Sequence, residues 1–163
     1  AKGGIYALIY GAADTKLGLV LGGDVKKGKK SRANFYTAVP AFQKLKDDVE
    51  RIVGTKGQLK GIDGRVLPIR SSHAALNTLL QSAGAVIMKE ACIIAHDEFK
   101  KNNLDVQQVA AVHDEYQLMC DPLHADTVGK IMVEAIRRAG ASFGFRCPLD
   151  GEYRVGKNWA ETH

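Results

Sequence analysis

The stretch Val109-Ala110-Ala111-Val112-His113-Asp114-Glu115-Tyr116-Gln117-Leu118-Met119-Cys120 sets two apolar, strand-like runs around three consecutive polar residues. This pattern predicts a β-hairpin with a carboxylate at its tip. A carboxylate held there beside its neighbours suits a hard divalent cation bound through oxygen, whereas the thiolate and imidazole set that zinc prefers is missing nearby. The tripeptide has a second copy, His96-Asp97-Glu98, inside a helix-forming run that reaches Lys101. Consecutive helical residues point in different directions, so this copy cannot converge on one ion and reads as a solvated helix face. A hairpin tip is also often a plain surface turn, so the rest of the chain has to decide.

The chain has 163 residues, 45% of them hydrophobic and 25% charged, which suits one globular domain with a real core. No apolar run reads as long enough to cross a membrane, and the start carries no charged-then-apolar leader. The chain opens at Ala1-Lys2 on a pattern that already reads as mid-helix, without Met, so the expectation is a piece of a longer protein. The formal net charge is +5, and a positive balance fits a polyanionic partner such as nucleic acid. Lys26, Lys27, Lys29, Lys30 and Arg32 form one basic cluster, and Lys56, Lys60, Arg65 and Arg70 a looser one. The 26–32 run reads equally as a solvated, flexible turn. Cys92, Cys120 and Cys147 are widely spaced and odd in number, which argues for a reducing, intracellular setting and against a disulfide scaffold or structural zinc.

Ile5 to Tyr10 reads as a helix ending at Gly11, with Lys2, Tyr6 and Tyr10 along one face. A second helix covers Thr15 to Leu21. A third runs from Ser31 to Val53, bent or broken at Pro40, and stops at Gly54. Gln58 to Ile69 predicts a hairpin around Asp63-Gly64, because Asp-Gly suits a tight turn. His73 to Lys101 is the longest periodic segment and predicts a long, well-buried helix. Asp121-Pro122 predicts a helix start, with Asp as the cap. That helix keeps Leu123, Val128, Ile131, Met132, Ala135 and Ile136 inward and stops at Gly140. The tail from Cys147 reads as a short strand and a turn. Helices mixed with antiparallel hairpins give an α+β class.

Four segments together resemble one family. Lys2-x-x-x-Tyr6-x-x-x-Tyr10-Gly11 resembles the latter part of the fingers helix of polymerase I-type (family A) DNA polymerases. Asn77-Thr78-Leu79-Leu80-Gln81-Ser82 resembles the palm segment that touches DNA. Val112-His113-Asp114-Glu115 is similar to the second carboxylate motif, and Asn158-Trp159-Ala160-Glu161-Thr162-His163 to the family's C-terminal ending. Order and spacing agree over essentially the whole chain. The wording from His73 to Ala85 is most similar to replicative polymerases of podoviral phages.

The resemblance implies a palm-type antiparallel hairpin with packed long helices, plus part of the fingers helices. It divides the chain into a fingers portion, 1–56, and a palm portion, 57–163. It implies that Lys2 grips nucleotide phosphates, Tyr6 packs on the nucleotide sugar, and Tyr10 stacks near the template base. Gln81 and Asn77, one turn apart, would donate to minor-groove acceptors that every base pair presents. His73 would face DNA, although histidine is mostly neutral at pH 7. His113 would contact the primer end, and His163 would lie near the active site. Asp114 would ligate Mg²⁺ in a two-metal site, with Glu115 assisting.

The family's other metal-binding aspartate comes from a strand upstream of the fingers helix, so this sequence holds about half of a catalytic centre. Asp14, Asp63 and Asp150 sit in turn-like contexts and make poor substitutes. The implied partners are primer-template DNA, deoxynucleoside triphosphates and the rest of a polymerase chain: upstream palm, thumb and exonuclease. The implied setting is the cytoplasm of a phage-infected bacterium, with no membrane and no secretion. A non-catalytic DNA-binding module is the alternative.

Overall fold

A computed structural model describes residues 2–162, and for Lys2 the backbone alone. The chain divides into two compact units, Ala1–Ser82 and Ala83–His163, with the division falling inside one helix. The class is α+β: helices with two separate two-stranded antiparallel sheets.

The first unit starts with α1 (Lys2–Ile9) and α2 (Asp14–Val20). Left-handed backbone at Gly11 (φ 70°) and Gly22 (φ 68°) follows them, as the glycine positions predict. Next come α3 (Val25–Ala38) and α4 (Pro40–Lys56). The helix is broken at Pro40, one of the two expected outcomes, but the structure corrects the start at Ser31. Helix α3 begins six residues earlier, capped by the Asp24 carboxylate on the Lys27 amide at 2.9 Å. The basic cluster is therefore helical, and the flexible-turn reading fails. Pro40 opens α4, where its missing N–H costs nothing. That helix runs past Gly54 to Gly57, whose left-handed conformation stops it.

Helices α2 and α3 touch through backbone. A Cβ at Gly28 would lie 2.0 Å from the Asp14 carbonyl oxygen, and one at Gly18 would lie 2.1 Å from that of Asp24. Beside this crossing Leu17 is fully buried. Arg32 reaches from α3 to the Asp14 carboxylate at 2.6 Å and to the Ala12 carbonyl.

Strands β1 (Gln58–Lys60) and β2 (Val66–Pro68) form the hairpin around Asp63-Gly64. Leu59 and Leu67, paired across it, join Val49, Val53, Ala75 and Leu76 in the core of this unit. A 3₁₀ turn, Ser72–Ala74, leads into α5 (Ala75–Lys101).

In the second unit Ile87, Ala91, Ala95 and Phe99 of α5 form a core with Val128, Ala135 and Ala139 of α6 (Ala125–Ser142). The spacing by four down α5 makes a narrow buried stripe, so α5 is less buried than its composition predicts: Ile93 and Leu80 are exposed. By length and composition, Ser72–Lys101 does pass as a possible membrane span, contrary to the sequence reading. Lys89 and Glu90 interrupt it mid-helix, and a charge at a bilayer centre costs roughly 2.5–3.5 kcal/mol. The His96-Asp97-Glu98 copy is helical, as expected. Arg138 at 2.8 Å, with Lys101 beyond, holds the Glu98 carboxyl below its ordinary pKa.

Strands β3 (Val106–Val112) and β4 (Glu115–Cys120) make the second hairpin. Asp121 then caps a 3₁₀ turn, Pro122–His124, accepting from the Leu123 amide at 2.8 Å. Leu123 is 87% exposed, not inward, because it sits in that turn and not on α6. Helix α6 continues through a buried Gly140 and ends at Ser142, with Phe143 as its C-cap before left-handed Gly144. The expected tail strand does not form. Leu149 packs into the core instead, and the Tyr153 hydroxyl donates to Asp126 with its ring over Gly129. The chain closes on α7 (Trp159–Thr162).

Gly28→Ala decides between two effects. Alanine gains about 1 kcal/mol of helix propensity, but overpacking against rigid backbone costs about 1–3 kcal/mol. The clash is with the carbonyl of a packed helix, so the second effect wins. Thermal unfolding should show a lower Tm for Gly28→Ala, while Gly54→Ala, which meets nothing within 4 Å, should raise it or leave it unchanged.

Candidate functional site

The tip of the β3–β4 hairpin is set by register. Val112 pairs with Glu115, so His113 and Asp114 alone make the turn. Two-residue hairpin loops require positive φ at one or both positions, and here His113 takes it, at φ 55°. Histidine is one of the few non-glycine types that enter this region with some ease. The irregularity at Val109, between the Gln108 and Ala110 pairs, shifts the face parity of β3 by one residue. Gln108 therefore faces the same side as Leu118, while Val112 shares its side with Glu115 and Gln117.

Strand β4 uses its two faces differently. Tyr116, Leu118 and Cys120 point inward. Leu118 and Cys120 join the core, and the Tyr116 hydroxyl donates to the Met88 carbonyl at 3.0 Å. Burial, with the Cys92 charge nearby, raises the Tyr116 pKa and keeps it a neutral donor. Glu115 and Gln117 share the other face. Gln117 donates to the Glu115 carboxylate and accepts from the Thr162 hydroxyl at 3.2 Å. The α7 helix and Glu115 are thus joined through one amide. The sequence reading missed Gln117, although the i, i+2 spacing on a strand carried the signal.

Asp114 is exposed and, among the described residues, its carboxylate has no ion pair or hydrogen bond. The three aspartates set aside as poor substitutes are each tied to an arginine. Asp14 pairs with Arg32 at 2.6 Å, Asp63 with Arg65 at 2.6 Å, and Asp150 with Arg137 at 3.0 Å. Two adjacent carboxylates, one anchored and one open to solvent, form an oxygen donor set of the kind Mg²⁺ takes. They are only part of one. Among the described residues no three His, Cys, Asp or Glu side chains come together as a metal-binding group.

The first unit gathers a second set. Tyr6 and Tyr10, one turn apart on α1, stack with ring centroids 6.1 Å apart and planes within 9°. Both rings stay largely exposed. Gln81 of α5 donates from Nε2 to the Tyr10 hydroxyl at 3.2 Å. One turn earlier on α5, Asn77 has a buried Oδ1 with no hydrogen-bond partner among the described residues. A buried acceptor left in this state costs about 1–3 kcal/mol. His73 is exposed in the 3₁₀ turn before α5, its carbonyl beside the Gly11 turn. Tyr6, Tyr10, His73, Asn77 and Gln81 thus all belong to one unit, and His113, Asp114 and Glu115 to the other. Lys2 begins α1 with its side chain outside the described structure, and His163 lies outside the described residues.

Comparison with known proteins identifies the family. The family model for DNA polymerase family A matches residues 1–161. The chain is 36% identical to the DNA-directed DNA polymerase of Enterobacteria phage T3 and 35% identical to that of Escherichia phage T7. Each match covers 100% of this chain and 26% of the relative. It is 27% identical to DNA polymerase I of Aquifex aeolicus, over 99% of this chain and 29% of that one. The fold is similar to the POL domain of Pol1 from M. smegmatis, solved in complex with DNA primer-template and dNTP. That match has a TM-score of 0.75 at 21% identity, over 85% of this chain and 26% of that one. The chain spans about a quarter of the length of the phage relatives it matches, and it belongs to DNA polymerase family A.

Proposed function

We propose that this chain supplies fingers (1–56) and palm (57–163) portions of a DNA-directed DNA polymerase. The observation that carries the reading is Asp114: a solvent-facing carboxylate without a cationic partner among the described residues, at a two-residue turn, in a chain of this family. In the reaction the primer 3′-oxygen attacks the nucleotide α-phosphorus in line. The bond to the pyrophosphate oxygen breaks as the new one forms, and the 3′-hydroxyl proton is released. When bound, Mg²⁺ offsets charge on the phosphate oxygens and makes the 3′-hydroxyl more acidic. Asp114 would hold it, and Glu115, fixed by Gln117, would keep the neighbouring position anionic. A further aspartate from the upstream palm would complete the set.

The remaining roles are those the family resemblance implies. Lys2 neutralises nucleotide phosphates. Tyr6 packs on the sugar, and Tyr10 stacks by the template base. Asn77 and Gln81 carry amides whose N–H groups match minor-groove acceptors. His73 lies against DNA, His113 against the primer end, and His163 near the active site. Primer-template DNA, deoxynucleoside triphosphates and the upstream palm, thumb and exonuclease are the partners. Similarity to phage polymerases supports work in the cytoplasm of an infected bacterium. One observation favours a second reading, a DNA-gripping module without chemistry: the incomplete ligand set among the described residues.

Asp114→Ala separates the two. Placed in a protein that includes the upstream palm, it should abolish primer extension and leave primer-template affinity within about threefold, because one exposed carboxylate contributes little to binding. Retained synthesis would contradict the catalytic role. The 163-residue chain by itself should not extend a primer in Mg²⁺, and robust incorporation would overturn the need for an upstream carboxylate. Tyr10→Phe removes the hydroxyl that engages Gln81 and frees the amide for DNA. Primer-template binding should tighten about twofold to fivefold, the size of one net hydrogen bond, and Gln81→Ala should cancel the gain. Weaker binding by Tyr10→Phe alone would show that the hydroxyl orients Gln81 instead of competing for it.

A further inference from the structure

Helix α3 has one side committed and one side open. Gly28 presses on α2, and Arg32, one turn later on the same side, is tied to Asp14 and the Ala12 carbonyl. Lys27 donates to the Leu21 carbonyl at 2.8 Å. Lys26, Lys29 and Lys30 fall at i, i+3 and i+4, neighbours on one helix face. All three are exposed, and among the described residues none has an ion pair or hydrogen bond. Helix α3 carries no Asp or Glu along its length. The flanking carboxylates are already used, Asp24 on the Lys27 amide and Asp14 on Arg32. Three like charges so close destabilise a helix unless an anion relieves them.

The position of this face indicates which anion. Arg32 pins α3 to the chain at Ala12, two residues beyond Tyr10. Lys26 lies six residues before Arg32, on the order of 9 Å along the helix axis. The lysine stripe therefore begins within about two helical turns of the turn that carries Tyr10. In the reading above, which this inference rests on, Tyr10 stacks by the templating base. The strand beyond that base is unpaired, and an unpaired strand beside a cationic face is held through its phosphates. We propose that Lys26, Lys29 and Lys30 form a contact surface for the single-stranded template ahead of the primer terminus. Lys26 and Lys30 are separated by a rise of about 6 Å, comparable to one or two phosphate spacings on a strand.

The test uses the full chain with Lys26→Gln, Lys29→Gln and Lys30→Gln combined. These substitutions lie at exposed helical positions that keep helix propensity. Two DNA hairpins serve as probes, one with a 5′ template overhang of about ten nucleotides and one blunt. On the overhang DNA the triple variant should lose roughly 10- to 100-fold in affinity at about 0.1 M salt. Its salt-dependence slope should fall by about 2, from three contacts at ~0.7 each. On the blunt DNA affinity should stay within about twofold, since no phosphate contact is removed there. Equal loss on both DNAs, or no loss on either, overturns the lysine face. Greater loss for a poly-glutamate peptide than for the overhang DNA also overturns it, by giving the face to an acidic protein partner. Failure of the wild-type chain to bind either DNA overturns the polymerase reading itself. A loss confined to the overhang DNA, with Gln81→Ala weakening both, supports the two together.

Discussion

Backbone pairing between Val112 and Glu115 is the constraint on which the candidate centre rests. It leaves only two residues to reverse the chain and forces His113 into left-handed backbone. A conformation of that kind costs about 1–2 kcal/mol for an L-residue. The hairpin meets the cost by burying the other face of β4 and by tying Tyr116 to α5. In return Asp114 stands at the tip without a partner among the described residues, beside a Glu115 that Gln117 holds in place. The contrast with Asp14, Asp63 and Asp150 is physical. Each of those carboxylates already has its cation and could not take a metal without giving it up.

The first unit shows the same division between a packed side and an open one. Backbone contact at Gly18 and Gly28 brings α2 and α3 together, and Arg32 fastens α3 to the end of the α1 segment. Tyr6, Tyr10 and the α3 lysines are left exposed. Helix α5 carries an unpartnered amide oxygen and exposed apolar residues in a segment apolar enough to be taken for a core. Such inconsistencies between local composition and burial tend to fall where a chain serves something other than its own stability.

Both hairpins were legible because their signals are local: alternating apolar residues around a polar tip, and an Asp-Gly turn. The start of α3 was also local, in Asp24 three residues before Lys27, but five cations within seven residues masked it as a solvated turn. The tail strand was read from composition, and it failed because no strand is placed to pair with it; Tyr153 and Leu149 found seats on α6 and its core instead. The outward turn of Leu123 and the end of α6 beyond Gly140 depended on tertiary packing that no short window holds. At the site, Asp114, Glu115, Tyr10 and Gln81 were identified by family resemblance. That Gln81 is bound to Tyr10 across 71 positions, and Thr162 to Gln117 across 45, had no sequence signal at all.

The most direct measurement is Mn²⁺-induced broadening of backbone amide resonances, with Mn²⁺ in place of Mg²⁺, in a protein that includes the upstream palm. Broadening centred on His113, Asp114 and Glu115, and removed by Asp114→Asn, is the predicted result. Broadening centred elsewhere, or unchanged by that substitution, would contradict the assignment of the hairpin tip as the place where this chain holds its metal.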